Sequence, residues 1–182
     1  MTTNIWQGRK VRLRAMEPSD WMVFQTNDLD TDVARLCYEI PFPRSTAGTM
    51  KWAEHMATTP PQDDCYRLVI ENRNGEVVGN LNTFECNRRC GTFKYGLAVM
   101  RPHWRQGYAS EAIQLVLRYY FGELRYQKVT VHVYDFNTAS IQLHRRLGFQ
   151  EEGRLRRMIY TGGQQHDEIL FGLTAEEFAG QQ

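Results

Sequence analysis

The stretch Trp104-Arg105-Gln106-Gly107-Tyr108-Ala109 sets an arginine and a glycine where an irregular segment gives way to a helical pattern. A helix N-terminus presents unpaired backbone N–H groups and a partial positive charge, which together bind phosphate, and a glycine lets the backbone come close to the anion. One glycine at a helix start is also what a plain structural turn looks like. Neither the Gly-x-x-x-x-Gly-Lys-Ser/Thr signature of nucleoside triphosphatases nor the Gly-x-Gly-x-x-Gly fingerprint of dinucleotide folds occurs here. The four cysteines, Cys37, Cys65, Cys86 and Cys90, have no framework spacing and read as free thiols. Cys86-Asn-Arg-Arg-Cys90 has no second Cys/His pair at a suitable spacing to complete four zinc ligands, so no metal is expected.

The elements that must hold this loop can be read around it. Ala109, Ala112, Ile113, Val116, Leu117 and Tyr120 recur at the spacing of one buried helix face. Before the loop, Cys90 to Val99 reads as a strand; after the helix, Lys128 to Tyr134 alternates valines with Thr130, His132 and Tyr134. Strand, helix and strand in this order imply a parallel pair joined by a crossover. Asn137 begins a short helix that stops at Gly148, and two terminal strands surround Gly162-Gly163. Upstream, Val11 to Met16 reads as a strand, and Glu17-Pro18-Ser19-Asp20 offers helix-start chemistry. From Trp21 to Ala57 helix-forming stretches are broken by Pro41-Phe42-Pro43, and Ser45-Thr46 can cap a second helix. Tyr66 to Ile70 and Val77 to Phe84 form a hairpin around an Asn-Gly turn.

The chain has 182 residues, 42% of them hydrophobic and 24% charged, with a formal net charge of +1. Folding a chain of this size removes roughly 70% of its accessible surface, so one domain spanning 1–182 with a real core is expected. Balanced charge argues against nucleic acid as a partner, since duplex affinity comes largely from phosphate neutralisation. No apolar run approaches the roughly 20 residues of a membrane span, and Met1 to Trp6 shows no signal peptide, so a cytoplasmic protein without a membrane partner is expected.

Three ordered segments carry a family resemblance. Gly96-Leu97-Ala98-Val99 with Pro102 to Ala112, then Asn137-Thr138-Ala139-Ser140-Ile141-Gln142-Leu143-His144-Arg145-Arg146-Leu147-Gly148-Phe149, then Glu151 to Leu155 with Asp167 to Phe171 follow one another. Together they resemble the GNAT superfamily of acyl-CoA-dependent N-acyltransferases, and within it the ribosomal-protein N-terminal acetyltransferases and spermidine acetyltransferases. The resemblance covers about Val11 to Leu173. It implies an α/β (α+β) fold: a mixed, mostly antiparallel sheet of about seven strands flanked by helices, splayed between the fourth and fifth strands.

The resemblance also implies a chemistry. Acetyl-CoA would be the co-substrate, with its pyrophosphate on the backbone of Arg105, Gln106, Gly107, Tyr108, Ala109 and Ser110. The pantetheine arm would pair along Leu97, Ala98 and Val99 as another strand would. Asn137 is carried over as a cofactor contact, a role that sits beside helix capping. His144 stands where the family frequently has a tyrosine that protonates departing CoA. It is either a histidine acid or part of a solvated polar face. The acceptor would be a primary amine, of a peptide N-terminus, a polyamine or a small molecule, and such an amine is mostly protonated at neutral pH and needs a base. Glu85 matches an acidic position of this branch, and Glu39 lies in the region that usually walls the acceptor pocket. Tyr38, Phe42, Tyr134 and Tyr160 are candidate pocket aromatics. The tetrahedral oxygen would meet the N–H of Val99 or Ala98. Arg145, Arg146, Arg154, Arg156 and Arg157 form a basic group without a fixed role. A homodimer is implied by resemblance only. The competing reading is a non-catalytic acyl-CoA-binding sensor.

Overall fold

In chain order the elements are β1 (Val11–Arg14), α1 (Trp21–Asp28), α2 (Thr31–Cys37), α3 (Thr46–Thr58), β2 (Arg67–Asn72), β3 (Val77–Asn87) and β4 (Thr92–Val99). After them come α4 (Tyr108–Arg118), β5 (Lys128–Tyr134), α5 (Thr138–Arg146), β6 (Gln150–Thr161), β7 (Gln164–Thr174) and α6 (Ala175–Ala179). The structure is a computed structural model and describes residues 4–37 and 40–181. The sheet has seven strands in the order β1-β2-β3-β4-β5-β7-β6. Every neighbouring pair is antiparallel except β4 and β5. Mixed α/β architecture with one parallel pair is what the strand, helix and strand order implies.

Each face of the sheet has its own apolar cluster, because successive residues of a strand point to opposite sides. Ile70, Leu81, Phe93, Tyr95, Val129, Val131 and Val133 pack with Ala112, Ile113, Val116 and Leu117 of α4 and with Phe149, near α5. Val69 turns the other way and joins Met16, Phe24 of α1 and Ala53 of α3. The sheet is therefore covered by α4 and α5 on one face and by α1 and α3 on the other. Among the described residues no helix is long and apolar enough to cross a membrane.

Local chemistry explains several boundaries. Ser45 caps α3, its side chain accepting from the Gly48 N–H at 3.1 Å. The β2–β3 turn is held by the Asn72 side-chain oxygen, which accepts from the N–H groups of Asn74 at 2.9 Å and Glu76 at 3.0 Å. Two features have no counterpart in the reading of the sequence. One is a single wide turn, Tyr119–Glu123, that continues α4. It carries Tyr120 onto Phe93 of β4, with ring centroids 4.0 Å apart. The other is α6, whose Phe178 packs against Phe121.

Candidate active site

The parallel pairing of β4 with β5 is short. It joins Thr92 to Lys128, Phe93 to Val129 and Lys94 to Thr130, and ends there, although both strands continue. Tyr95 to Val99 on one side and Val131 to Tyr134 on the other diverge into a cleft within the sheet. Each strand remains paired on its far side, β4 with β3 up to Val99 and β5 with β7 up to Tyr134.

Register decides which backbone groups face the cleft. Antiparallel neighbours bond through alternate residues. The Met100 N–H donates to the Val78 carbonyl at 2.9 Å, so Ala98 and Gly96 also turn their polar groups to β3. Those of Tyr95, Leu97 and Val99 are directed into the cleft. Ala98, expected to lend its backbone to a ligand, is thus bonded to β3, which leaves the Val99 N–H as the cleft-facing donor of the two considered. On β5, Asp135 donates to the Asp167 carbonyl at 3.1 Å; the same alternation turns the backbone of His132 and Tyr134 into the cleft.

At the mouth of the cleft β4 passes through a short turn, Arg101–His103, into the N-terminus of α4. Arg105 and Gly107 both adopt left-handed backbone angles, φ +61° and +83°. Gly107 is the residue before the first helical turn, whose N–H groups at Tyr108, Ala109 and Ser110 have no acceptor within the helix. Arg105, Gln106 and Gly107 are exposed, whereas Tyr108, Ala109 and Ser110 are half-buried. The Trp104 indole donates to the Val99 carbonyl at 2.6 Å and locks the loop to the strand. Arg101 bridges to Asp30 at 2.6 Å, holding that carboxyl down to about 2 and tying the loop to the α1–α2 connection.

A further cation at this loop was not singled out from the sequence. The Lys10 ammonium donates to the Gln106 carbonyl at 2.8 Å. Lys10 is set there by Glu111 of α4, whose carboxylate accepts from the backbone N–H groups of Arg9, Lys10 and Val11 at 2.9, 2.6 and 2.8 Å. The segment lies so close that a Cβ on Gly8 would stand 2.5 Å from that carboxylate. No local pattern marks Lys10, because its role depends on a contact with residues 96 or more positions away.

Asn137 is the N-cap of α5. Its oxygen accepts from the Ser140 N–H at 3.1 Å, and its nitrogen donates to the Leu36 carbonyl of α2 at 3.0 Å. One donor and one acceptor position of the amide are therefore spent capping α5 and tying it to α2.

His144 is not on a solvated face. It is 2% exposed, between Tyr95, Phe149 and Phe171. Its Nδ1 lies 2.8 Å from the Ser140 carbonyl and so carries the hydrogen, which leaves Nε2 to accept from the Tyr95 hydroxyl at 2.9 Å. Burial pushes its pKa down to about 4, against a smaller upward pull from the Ser140 carbonyl. The ring is neutral at pH 7 and has both nitrogens engaged. The helical periodicity of α5 runs Ile141, Leu143, His144 and Leu147 onto one inward side; flanking arginines obscured this in the sequence.

Glu85 sits where the β3–β4 register shifts, in a left-handed conformation with φ +49°. Its carboxylate is largely exposed and pairs with Lys94 at 2.7 Å. It lies beside the closed end of the cleft, along an outer hollow shared with Asp63, Cys86, Asn87, Arg88 and Thr92. Tyr38 and Glu39 lie outside the described residues. Tyr134 is buried on the α1–α3 face of β5, its ring 5.5 Å from Phe136. Phe42 and Tyr160 are strongly exposed, 95% and 68%. Of the basic group, Arg145 pairs with Glu151 at 3.0 Å and Arg154 with Asp167 at 3.3 Å.

Comparison with known proteins bears on this geometry. A model of the acetyltransferase (GNAT) domain matches residues 10–150. A prophage-derived uncharacterized N-acetyltransferase, YokL, of Bacillus subtilis is 42% identical over 178 residues, covering 98% of this chain and 97% of its own. The spermidine N(1)-acetyltransferase of Escherichia coli K12 is 24% identical over 159 residues, covering 87% and 83%. Among solved structures, the spermidine N-acetyltransferase of Vibrio cholerae in complex with CoA and spermine superposes with a TM-score of 0.81 at 21% identity. That match covers 94% of this chain and 99% of the other.

Proposed function

Because the chain belongs to the GNAT acetyltransferase family, and is an N-acetyltransferase by that membership, we propose that it moves an acetyl group from acetyl-CoA to a primary amine in a ternary complex. The observation that carries this reading is the early end of β4–β5 pairing at Lys94 and Thr130, with the α4 N-terminus placed at the open end of the same cleft. An extended pantetheine arm has amides at intervals, and the cleft-facing backbone of Leu97 presents a complementary donor and acceptor, with the Val99 N–H left for the reacting carbonyl. Ala98 contributes its side chain rather than its backbone. The pyrophosphate fits the backbone from Arg105 to Ser110, where the helix N-terminus, Arg105 and Lys10 supply positive charge.

Chemistry in such a site is direct attack. The amine nitrogen adds to the thioester carbonyl, and the developing oxyanion takes the Val99 N–H. His144, buried and neutral, supports the Tyr95 side of the cleft wall in this reading. A thiol with an ordinary pKa of about 8.5 leaves as thiolate without an obligatory acid. The acceptor is a free primary amine, with polyamines supported by the relatives named as spermidine acetyltransferases and peptide N-termini by the sequence resemblance.

The test is release of free CoA thiol from acetyl-CoA against a panel of polyamines, peptides with free N-termini and small amines, alongside calorimetric titration with acetyl-CoA. Turnover with one class identifies the acceptor. Acetyl-CoA binding without turnover on any member would favour a binding module, and absence of binding would overturn the reading.

A further inference from the structure

The α1–α3 face of the cleft carries a pair of titratable side chains that the reading above leaves unused. On β5, Val129, Val131 and Val133 point into the α4 core, so Thr130, His132 and Tyr134 project to the opposite face. Thr130 is the last residue of β5 paired with β4. His132 is therefore the first side chain on this face beyond the point where the strands part. It is accessible, with one third of its side-chain surface exposed, at a position where the sheet floor next to it is missing.

Glu168 of β7 reaches it. Glu168 is the register partner of Tyr134, on the same face, and its carboxylate extends diagonally to His132, with Nδ1 to Oε2 at 3.2 Å. Only 13% of the Glu168 side chain is exposed, so the carboxylate is held against the sheet. With the Glu168 carboxylate beside Nδ1, Nε2 is the ring nitrogen turned away from it and available to an incoming amine. The carboxylate holds the orientation of the ring at the edge of the cleft.

We propose that His132 is the general base for the acceptor amine and that Glu168 is its positioning residue. The inference rests on the acetyltransfer reading. An alkyl ammonium gives one proton to His132 Nε2; its nitrogen pair then forms the N–C bond to the acetyl carbonyl. Collapse of the tetrahedral state breaks the C–S bond. The second amine proton goes to the departing thiolate, and the imidazolium returns its proton to water. The outcome is one amide, one CoA thiol and one released proton. Glu85, the carboxylate expected from the sequence to act near the cleft, is tied to Lys94 on the outer kink of β3.

The experiment compares wild type with His132→Gln, His132→Ala and Glu168→Gln, using acetyl-CoA with spermidine, a free N-terminal peptide and the small amines of the panel. His132 is at the surface and Glu168 near it, so thermal melts check that each variant is folded. General base catalysis contributes about 10²–10⁴-fold, so the expected result is a kcat loss of at least about 10²-fold in His132→Gln. Acetyl-CoA affinity should stay within about twofold, and added imidazole should restore part of the lost rate in His132→Ala. Glu168→Gln should lower kcat with affinity retained. Turnover by His132→Gln within about threefold of wild type, or a loss in Glu85→Gln with His132→Gln unaffected, overturns the proposal while leaving the acetyltransfer reading intact. Wild type that binds acetyl-CoA yet acetylates no amine overturns both.

Discussion

The buried His144 makes folding stability depend on pH in a window where histidine ordinarily titrates. Its pKa falls from 6.5 to about 4 because the ring is sealed from water between Tyr95, Phe149 and Phe171. The unfolded chain protonates this histidine as pH drops below about 6.5, while the folded chain does not until about pH 4. Between these values the unfolded state binds the extra proton, so stability is full above the upper pKa and declines as pH falls, levelling below the lower one. A gap of this size amounts to about 3 kcal/mol over the whole window and about 2 kcal/mol between pH 7 and pH 5. Carboxylates such as Asp20 and Glu71, held low by Arg14, add their own acid sensitivity at still lower pH. The measurement is therefore a difference: urea unfolding of wild type and His144→Gln at half-unit steps from pH 7.5 to 5. Glutamine can bond the Ser140 carbonyl and the Tyr95 hydroxyl but does not titrate. The wild-type advantage over the variant should shrink by about 2 kcal/mol across that range. Parallel stability curves, or a His144 ring that titrates by NMR near its ordinary value, would refute the argument that burial holds it neutral.

Two further perturbations act on the loop proposed to hold the pyrophosphate. Gly107→Ala forces a side chain into a left-handed conformation, with its Cβ 2.7 Å from the Lys10 ammonium. The strain of about 1–2 kcal/mol should weaken acetyl-CoA binding by about tenfold in a calorimetric titration, with the melting temperature lowered only slightly. Glu111→Ala removes the acceptor shared by Arg9, Lys10 and Val11, of which the Val11 N–H is the most enclosed. Loss of a charged acceptor from such donors costs about 2 kcal/mol in denaturant unfolding, and acetyl-CoA affinity should fall with it because Lys10 loses its anchor.

Much of the fold around the candidate site could be read along the chain because its parts are local. A glycine before an amphipathic helix, an asparagine before a second one, and alternating valines in Lys128 to Tyr134 are each a short-range pattern with a direct conformational cause. The order of strand, helix and strand likewise implied the parallel pair that the sheet contains. These signals, with the ordered motifs, were enough to place the chain in its family and to locate the loop at the head of α4.

What depended on tertiary structure is whatever a contact between distant residues decides. Where β4 and β5 part, after Lys94 and Thr130, is a relation between two strands that neither sequence segment carries alone. The burial of His144 follows from Phe149 and Phe171 closing over α5, which reverses the meaning of the arginines beside it. Ala98 loses a backbone role through the parity of its register with β3, a property of two strands together. Lys10 reaches Gln106 before α4, and Glu168 reaches His132, only once the sheet order β4-β5-β7 and the fold of the N-terminal segment bring them together. Backbone propensity and apolar period are encoded within a few residues; the partner of a titratable group is not, and that partner determines what the group can do.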